Sequence, residues 1–293
     1  MRKATATFCT AMLIAMVLTT ACRRHSDGKP TNAVYYWRTT LTLSAKERAF
    51  LEQHQIEKMY CRYFDVVIDD PADGPHPNAT LTFADSLPTG LEIVPTVYIT
   101  EDCMHQLHEG LAEKLVGRIV QMNRTNGIEG VGELQLDCDY TSRSRHTYYD
   151  FLSEVRREAG QHGMRLSATI RLHQLSMPAP AVDYGVLMLY NTGDPRLFEE
   201  RNPVLDIRDV RRYADQLPAY PLPLAAAYPV YRWERVVEGM PIAHEVAATE
   251  ILQVKALAEE KRPALRQTII TYCLDEENID RYNPETYEAI YHH

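Results

Sequence analysis

Eight short apolar runs, most of them followed by a stretch with helical periodicity, constrain the fold more than any other feature of this sequence. The runs span residues 33–37, 58–68, 92–99, 133–139, 165–172, 184–190, 222–228 and 267–273. Near-continuous apolar runs of this length are typical of parallel strands covered by helices. Their repetition over about 260 residues predicts an α/β fold, a single (β/α)8 TIM-type barrel, with an open doubly wound sheet as the alternative.

Helical periodicity between the apolar runs supports the barrel. It is clearest at residues 44–53, 111–122, 147–162, 207–216, 244–260 and 284–291. Ser44 and Glu47 have the spacing of a capping box, and Pro284 suits the first turn of the last helix. No glycine-rich phosphate loop follows the first apolar run, which argues against a dinucleotide-binding sheet.

The first 22 residues have the pattern of an export signal. Arg2 and Lys3 precede an apolar run at 11–18, small residues follow at 19–21, and Cys22 comes next. The apolar run is shorter than the ~20 residues needed to span a bilayer. The segment resembles the bacterial lipobox, although Thr19 stands where that motif usually has leucine. An ordinary signal followed by a chance cysteine is the alternative.

The resemblance to the lipobox implies the order of the domains and the location of the protein. Residues 1–21 are predicted to be a lipoprotein signal peptide, 22–32 a tether and 33–293 the barrel. Cys22 would be lipidated and would hold the protein on a membrane of the bacterial cell envelope, on the periplasmic side or at the cell surface. Stable anchoring needs more than one acyl chain, and a lipobox cysteine receives several.

Charge composition limits the classes of partner that this protein is expected to bind. The 31 Lys and Arg residues are outnumbered by 40 Asp and Glu residues, which gives a net charge of −9. An acidic chain without a basic cluster is a poor ligand for nucleic acid, so no nucleic-acid partner is expected. We also expect a monomer and no cofactor.

Thiols and metal ligands give weaker signals. The four cysteines beyond Cys22 lack CxxC spacing, and three of them lie in apolar runs. An exported protein permits disulfides, but free buried thiols are favoured. The four are Cys61, Cys103, Cys138 and Cys273. The run 103–108 contains ligand-type residues, but such loops are usually only solvated. Asp69, Asp70 and Asp73 lack the spacing of a calcium loop. No metal site is therefore predicted.

Polar side chains alternate with leucines along the fourth apolar run. Gln135, Asp137 and Asp139 share one strand face, about 6–7 Å apart, because strand side chains alternate sides. The C-terminal end of a barrel strand is where barrel enzymes place their sites. Two neighbouring carboxylates raise one pKa, as general acid catalysis requires. A structural pair that caps the next loop is the alternative.

The fourth run resembles the DxxDxDxE motif of family 18 glycoside hydrolases, the chitinase-like barrels. Asp137 matches the last aspartate of that motif, and Asp139 falls on the catalytic glutamate. Gln135 and Gly132 fall on the two earlier aspartates, and Tyr140 also agrees with the family. No SxGG motif is found on the third strand.

The sixth run carries a second fragment of the same resemblance. The family has MxYD there, and this chain has Met188, Tyr190 and Asn191 at those positions. Residues 134–140, 148–156 and 166–169 resemble more closely the uncharacterised bacterial family of domain of unknown function 3142, which implies a chitinase-like barrel without an established activity.

The resemblance to the hydrolases implies a mechanism. The substrate's N-acetyl group would be the nucleophile, so the enzyme supplies none. Asp139 would be the general acid, Asp137 would orient the acetamide, and Tyr190 would support it. Asp139 is one methylene shorter than glutamate, and a misplacement above 1 Å can cost about 100-fold in rate.

Further residues are candidates for substrate binding. Gln135 and Asn191 occupy motif positions. Aromatic rings can stack on sugars, and three lie near predicted strand ends: Trp37, Tyr228 and Trp233. Arg171 ends the fifth run and is expected to pair with Asp137, although a substrate contact is open. Arg62 and Asp65 are expected to form a structural pair.

The function predicted from the sequence is binding, with weak hydrolysis, of a carbohydrate by a membrane-anchored barrel. The alternative is a non-catalytic glycan-binding or structural lipoprotein with a degenerate site. Replacement of the motif's glutamate by Asp139 and of its final acid by Asn191 favours the alternative.

Overall fold

The computed structural model describes residues 30–70, 72, 74–106, 109–193, 201–237 and 240–292. The predicted signal segment, Cys22 and the tether up to residue 29 lie outside these ranges, so they stay predictions. Asp73 and His108 also lie outside them. Within the described residues, no helix is both long enough and apolar enough to cross a membrane.

Eight parallel strands of the described chain close into a barrel, which confirms the predicted (β/α)8 fold. They are β1 Thr31–Tyr36, β2 Ile56–Val67, β3 Glu92–Ile99, β4 Glu133–Cys138, β5 Arg165–Arg171, β6 Tyr184–Met188, β7 Leu224–Pro229 and β8 Thr268–Tyr272. Each strand pairs with the next in sequence, and β1 pairs with both β2 and β8. All eight predicted apolar runs are strands.

Helices surround the barrel. Those described are α1 Ala45–Gln53, α2 Leu111–Thr125, α3 Arg145–Gln161, α4 Ile207–Ala214, α5 Ala248–Lys261, α6 Glu276–Arg281 and α7 Pro284–Tyr291. The predicted capping box is present, because Ser44 accepts a hydrogen bond from the Glu47 amide while Glu47 accepts one from the Ser44 amide. In the described chain, the β5–β6 connection carries the 3-10 helix Leu172–Ser176 instead of an α-helix.

One predicted helix begins later than expected. The stretch assigned to a helix from residue 244 starts at Ala248, and the preceding residues form an antiparallel hairpin of Trp233–Val237 and Met240–His244. This hairpin contains three β-branched residues, which favour strands: Val236, Val237 and Ile242. Their spacing also does not continue the helical pattern.

Alternation along the strands separates two apolar layers. Leu134, Leu136 and Cys138 of β4 pack outward beneath the helices, while Glu133 and Gln135 face the barrel interior. A smaller cluster fills the interior; it comprises Ala33, Tyr35, Tyr60, Val94, Val186, Met188, Tyr190, Ala225, Ala227 and Ile270. Polar interior side chains are therefore enclosed by apolar neighbours and need partners of their own.

The N-terminal end of the barrel interior satisfies one such group. Glu133 is fully buried and accepts hydrogen bonds from Lys58 Nζ at 2.9 Å, from Ser167 Oγ at 2.7 Å and from Tyr184 Oη. Tyr184 also bonds the Tyr60 hydroxyl at 2.8 Å. This closed network lies at the end of the barrel that usually serves stability, which leaves the opposite end for function.

The cysteines behave as predicted in the described residues. Cys61, Cys103, Cys138 and Cys273 are free, and the first three are buried. The Cys103 thiol contacts the Val66 carbonyl oxygen at 3.4 Å and the Thr100 hydroxyl at 3.3 Å.

Candidate functional site

A cleft of about 190 Å³ opens at the C-terminal end of the barrel. Side chains on or next to seven of the eight strands line it: Trp37, Arg62, Tyr98, Asp137, Arg171, Met188, Tyr190, Asn191 and Tyr272. Strand ends meet here because all eight strands run in the same direction. Among the described residues, no group of three metal-ligating side chains lies at this cleft.

Asp137 lies at the floor of the cleft near the end of β4. The residue is 3% exposed, and its Oδ1 accepts hydrogen bonds from Thr169 Oγ1 at 2.7 Å and from Arg171 Nη2 at 3.2 Å. Burial raises the pKa of this carboxyl, Arg171 opposes that shift, and the negative charge of Asp139 adds to it. Asp137 is therefore a well-held acceptor within reach of a ligand.

Asp139 lies just beyond the end of β4 and is not among the residues that line the cleft. Its side chain is 53% exposed, and its Oδ1 accepts a hydrogen bond from Arg171 Nε at 2.5 Å. The candidate acid is therefore held at the rim by an ion pair.

Arg171 connects the two carboxylates. It ends β5, contacts both Asp137 and Asp139, and its Nη1 also lies against the Met188 sulfur. Burial would lower the pKa of the guanidinium, but the charges of Asp137 and Asp139 outweigh it and raise that pKa. The expected pair with Asp137 is confirmed, and a second pair with Asp139 accompanies it.

Gln135 lies one layer below the cleft. It is fully buried, and its Oε1 accepts a hydrogen bond from Tyr35 Oη at 2.8 Å and lies 3.4 Å from Thr96 Oγ1. The structure therefore places this motif position in the packing beneath the site, out of reach of a ligand in the cleft.

Tyr190 follows β6 and brings a polar atom to the cleft that lacks a partner. The residue is 2% exposed, and its hydroxyl has no hydrogen-bond partner among the described residues. Its ring packs against Tyr272 with a centroid separation of 5.2 Å. A buried hydroxyl without a partner is costly, and a ligand group in the cleft would remove that cost.

Asn191 adopts a left-handed backbone conformation with φ of +53°. Its Oδ1 accepts a hydrogen bond from the Tyr231 hydroxyl at 2.5 Å. Asparagine tolerates this conformation better than most residues, and the turn carries its side chain into the cleft. Asn191 also lines an adjoining pocket of about 360 Å³ together with Tyr231 and Trp233.

Trp37 forms one wall of the cleft just after β1. Its ring lies 5.5 Å from that of Tyr272, and the Arg62 guanidinium lies 5.6 Å from its centroid. Arg62 Nε donates to Asp65 Oδ1 at 2.7 Å, which confirms the expected pair and fixes the arginine against the ring. Trp37 and Tyr272 also line a further pocket of about 500 Å³ that extends the cleft.

The two remaining aromatic candidates lie in different places. Tyr228 is fully buried on the outer side of β7 beneath the helices, and the structure does not bring it to the cleft. Trp233 lies in the hairpin after β7, where it stacks on His244 with a centroid separation of 5.8 Å and borders the 360 Å³ pocket.

Three aromatic residues of the cleft and its adjoining pocket were not singled out from the sequence. Tyr98, Tyr231 and Tyr272 lie at or just beyond strand ends. Tyr98 adjoins both carboxylates, and burial together with the charges of Asp139 and Asp137 raises its pKa to about 12. Position at a C-terminal strand end is the only sequence signal that these three residues share.

Solved structures of known proteins have the same fold at low sequence identity. A chitinase from Chromobacterium violaceum ATCC 12472 matches with a TM-score of 0.59 and 13% identity, over 89% of this chain and 98% of that chain. The spore cortex-lytic enzyme SleL of Bacillus cereus matches with a TM-score of 0.57 and 14% identity, over 89% of this chain and 73% of that chain. A class V chitinase from Pseudomonas fluorescens Pf-5 matches with a TM-score of 0.57 and 11% identity, over 89% of this chain and 98% of that chain.

Sequence comparisons add no family. No protein-family model matches the chain, and no curated protein matches it. The resemblance to domain of unknown function 3142 therefore stays a prediction. The structural neighbours are chitinase-like barrels, and the described chain shares their (β/α)8 fold.

Proposed function

We propose that this protein binds an N-acetylated glycan in the cleft at the C-terminal end of the barrel and does not cleave it. The observation that carries this proposal is the position of Arg171 between Asp137 and Asp139. The chitinase-like neighbours support a carbohydrate as the ligand class.

The lining of the cleft suits a sugar. Trp37, Tyr272 and Tyr190 form a connected group of rings, and aromatic faces pack well against the apolar faces of sugar rings. Tyr190 offers a hydroxyl without a partner among the described residues, and Asp137 offers a carboxylate with a second oxygen. These polar groups can bond an acetamide while the rings hold the pyranose.

Hydrolysis needs a protonated acid above the scissile bond, and the arrangement around Asp139 opposes this. Asp139 does not line the cleft, and its Oδ1 is already engaged by the Arg171 guanidinium. The aspartate is also one methylene shorter than the glutamate of the related motif, which sets its carboxyl back from a leaving oxygen. Binding without turnover follows from both features.

Weak hydrolysis is the second candidate because Asp139 is half exposed at the rim. A ligand that draws Arg171 away from Asp139 would free the carboxyl group to turn towards a leaving oxygen. Turnover would then be slow, since it requires the ion pair to break in each cycle.

Lipid anchoring at Cys22 would determine which way the cleft faces relative to the membrane. The chain enters β1 at Thr31, at the N-terminal end of the barrel, whereas the cleft lies at the opposite end. The nine residues from Cys22 to Thr31 reach at most about 30 Å. An anchor there would hold the N-terminal end towards the membrane, so that the cleft opens away from it.

A glycan array followed by calorimetry tests the binding proposal. The wild-type protein should bind N-acetylated oligosaccharides, and the Tyr190→Phe variant should bind them more weakly while folding normally. Absence of carbohydrate binding, or equal affinity of the two proteins, would contradict the assignment of the cleft. Product analysis of the same mixtures separates the two candidate functions.

A further inference from the structure

We propose that His54, Glu288 and His292 form a zinc site at the N-terminal end of the barrel, on the face opposite the glycan cleft. One ligand atom from each residue lies within 4.8 Å of the others. Two imidazoles and one carboxylate are a ligand set typical of zinc.

The two helices that carry the ligands are the first and the last described. His54 follows α1 as its C-cap, and Glu288 and His292 lie four residues apart at the end of α7. Residues four apart on a helix lie on the same side, and His292 Nε2 is 3.9 Å from Glu288 Oε2. The site therefore joins two segments that are more than 230 residues apart in the chain.

Ring packing fixes the buried ligand. His54 is 1% exposed and packs against Phe50 and Tyr291, with centroid separations of 4.6 Å and 5.5 Å. Its backbone carbonyl accepts a hydrogen bond from Asn32 Nδ2 at 2.8 Å, which ties the turn to the start of β1. Because the backbone and ring are held, the imidazole is preorganised.

A second observation concerns a ring nitrogen of His54. His54 Nδ1 is buried and has no hydrogen-bond partner among the described residues. A ring nitrogen without a protein partner leaves the imidazole free to bind a metal through a lone pair, as a neutral histidine does.

The other two ligands have room to close on an ion. His292 is partly exposed and Glu288 is largely exposed, with side-chain fractions of 30% and 64%. Zinc bonds of about 2.0–2.1 Å in a tetrahedron place ligand atoms ~3.3 Å apart, so rotation of these two side chains by an ångström or so would complete the shell. Water would occupy the fourth position. A bound ion would fasten the last helix to the first.

Zinc titration of the full chain, purified in detergent and freed of metal with a chelator, tests the proposal. Zn²⁺ alone should bind with one-to-one stoichiometry and raise the Tm, whereas Mg²⁺, which prefers oxygen ligands, should not. Co²⁺ should give the visible absorption of a four-coordinate site.

Variants of the two more exposed ligands, Glu288 and His292, test the site without disturbing the buried core. His292→Ala and Glu288→Gln should each lower the affinity for Zn²⁺, His292→Ala by at least about 100-fold, because loss of even an outer-shell partner costs about 10–100-fold. The matched controls are Glu285→Gln, on the exposed side of the same helix, and His162→Ala, an exposed C-cap histidine of α3. Failure to bind Zn²⁺, or equal affinity in ligand variants and controls, would overturn the proposal.

Discussion

Arg171 Nε donates a hydrogen bond across 2.5 Å to Oδ1 of Asp139, the residue that the sequence resemblance assigns to a general acid. The same guanidinium lies 3.2 Å from Asp137. One cation thus pairs with both Asp137 in the cleft and Asp139 just beyond the end of the fourth strand. This arrangement suits a stable binding site better than an acid that must reach a scissile bond.

Removal of the Arg171 charge should destabilise the fold in a pH-dependent way. Arg171→Met leaves Asp137 buried without its cation, and loss of one partner of a buried pair costs ~3–5 kcal/mol in the free energy of unfolding near pH 7. The pKa of Asp137 is already raised above 3.8 by burial, and loss of the arginine raises it further.

The sign of the pH effect follows from that shift. A carboxyl with a raised pKa in the folded state binds its proton more tightly when folded, so folding is favoured as the pH falls towards the raised value. Urea unfolding should therefore show that the deficit of Arg171→Met shrinks on acidification. Arg156→Met is the control, since it removes the exposed pair with Asp183 and should cost at most ~1 kcal/mol. A deficit independent of pH would argue against this role of Asp137.

Removal of the Tyr190 hydroxyl should weaken binding without weakening the fold. Tyr190→Phe deletes a buried polar atom that has no partner among the described residues, so the stability should be unchanged or higher. Loss of a hydrogen bond to the ligand should cost ~1 kcal/mol, or about fivefold in affinity. Calorimetry and thermal unfolding measure both quantities.

Tyr35→Phe is the matched control for Tyr190→Phe. Its hydroxyl lies in the same barrel interior but donates to Gln135 at 2.8 Å. This variant should lose ~1–3 kcal/mol of stability because Gln135 is left buried without that partner. Its effect on glycan affinity should be small. If both variants behave alike, Tyr190 does not contact the ligand.

Truncation of the aromatic walls should cause the largest loss of affinity. Trp37→Ala and Tyr272→Ala each remove a ring from the cleft, at ~1–3 kcal/mol of binding free energy if the ring contacts the sugar. Tyr228→Phe should leave the affinity unchanged, because this residue lies beneath the helices. Equal glycan affinities of the wild type and both alanine variants would place the ligand elsewhere.

The sequence predicted the strands better than it predicted the site. Apolar runs of strand length marked all eight strands. Alternation along the fourth run singled out Asp137, the match to MxYD singled out Tyr190, and the end of the fifth run singled out Arg171. Tyr228 shows the limit of this reasoning. Side chains alternate every residue along a strand, so one position decides between cleft and helix layer, and Ala227 takes the inward position in β7.

Two other features depended on long-range packing. Tyr272 is one of many tyrosines in the chain, and only closure of the barrel shows that it adjoins Trp37 and Tyr190. The second pair of Arg171, with Asp139, depends on how the loop after β4 turns towards β5. Neither relationship has a local sequence signal.

Replacement of Cys22 tests the predicted anchor. Cys22→Ser should leave the protein as uncleaved precursor or release it from the membrane fraction, because no acyl chains can be attached. Fractionation with an immunoblot distinguishes these products from the wild type. If the variant matures and fractionates like the wild type, Cys22 is not the lipidated residue.

The central claim is binding without cleavage, and product analysis of an N-acetylated chitooligosaccharide tests it most directly. The wild type and Asp139→Asn should bind the oligosaccharide and leave it intact, with affinities that differ only mildly because the substitution preserves the shape of residue 139. Asp139→Glu restores the longer side chain of the related hydrolases and serves as the variant most favourable to turnover. Shortened products from the wild type that disappear with Asp139→Asn would contradict the account and identify Asp139 as a working acid.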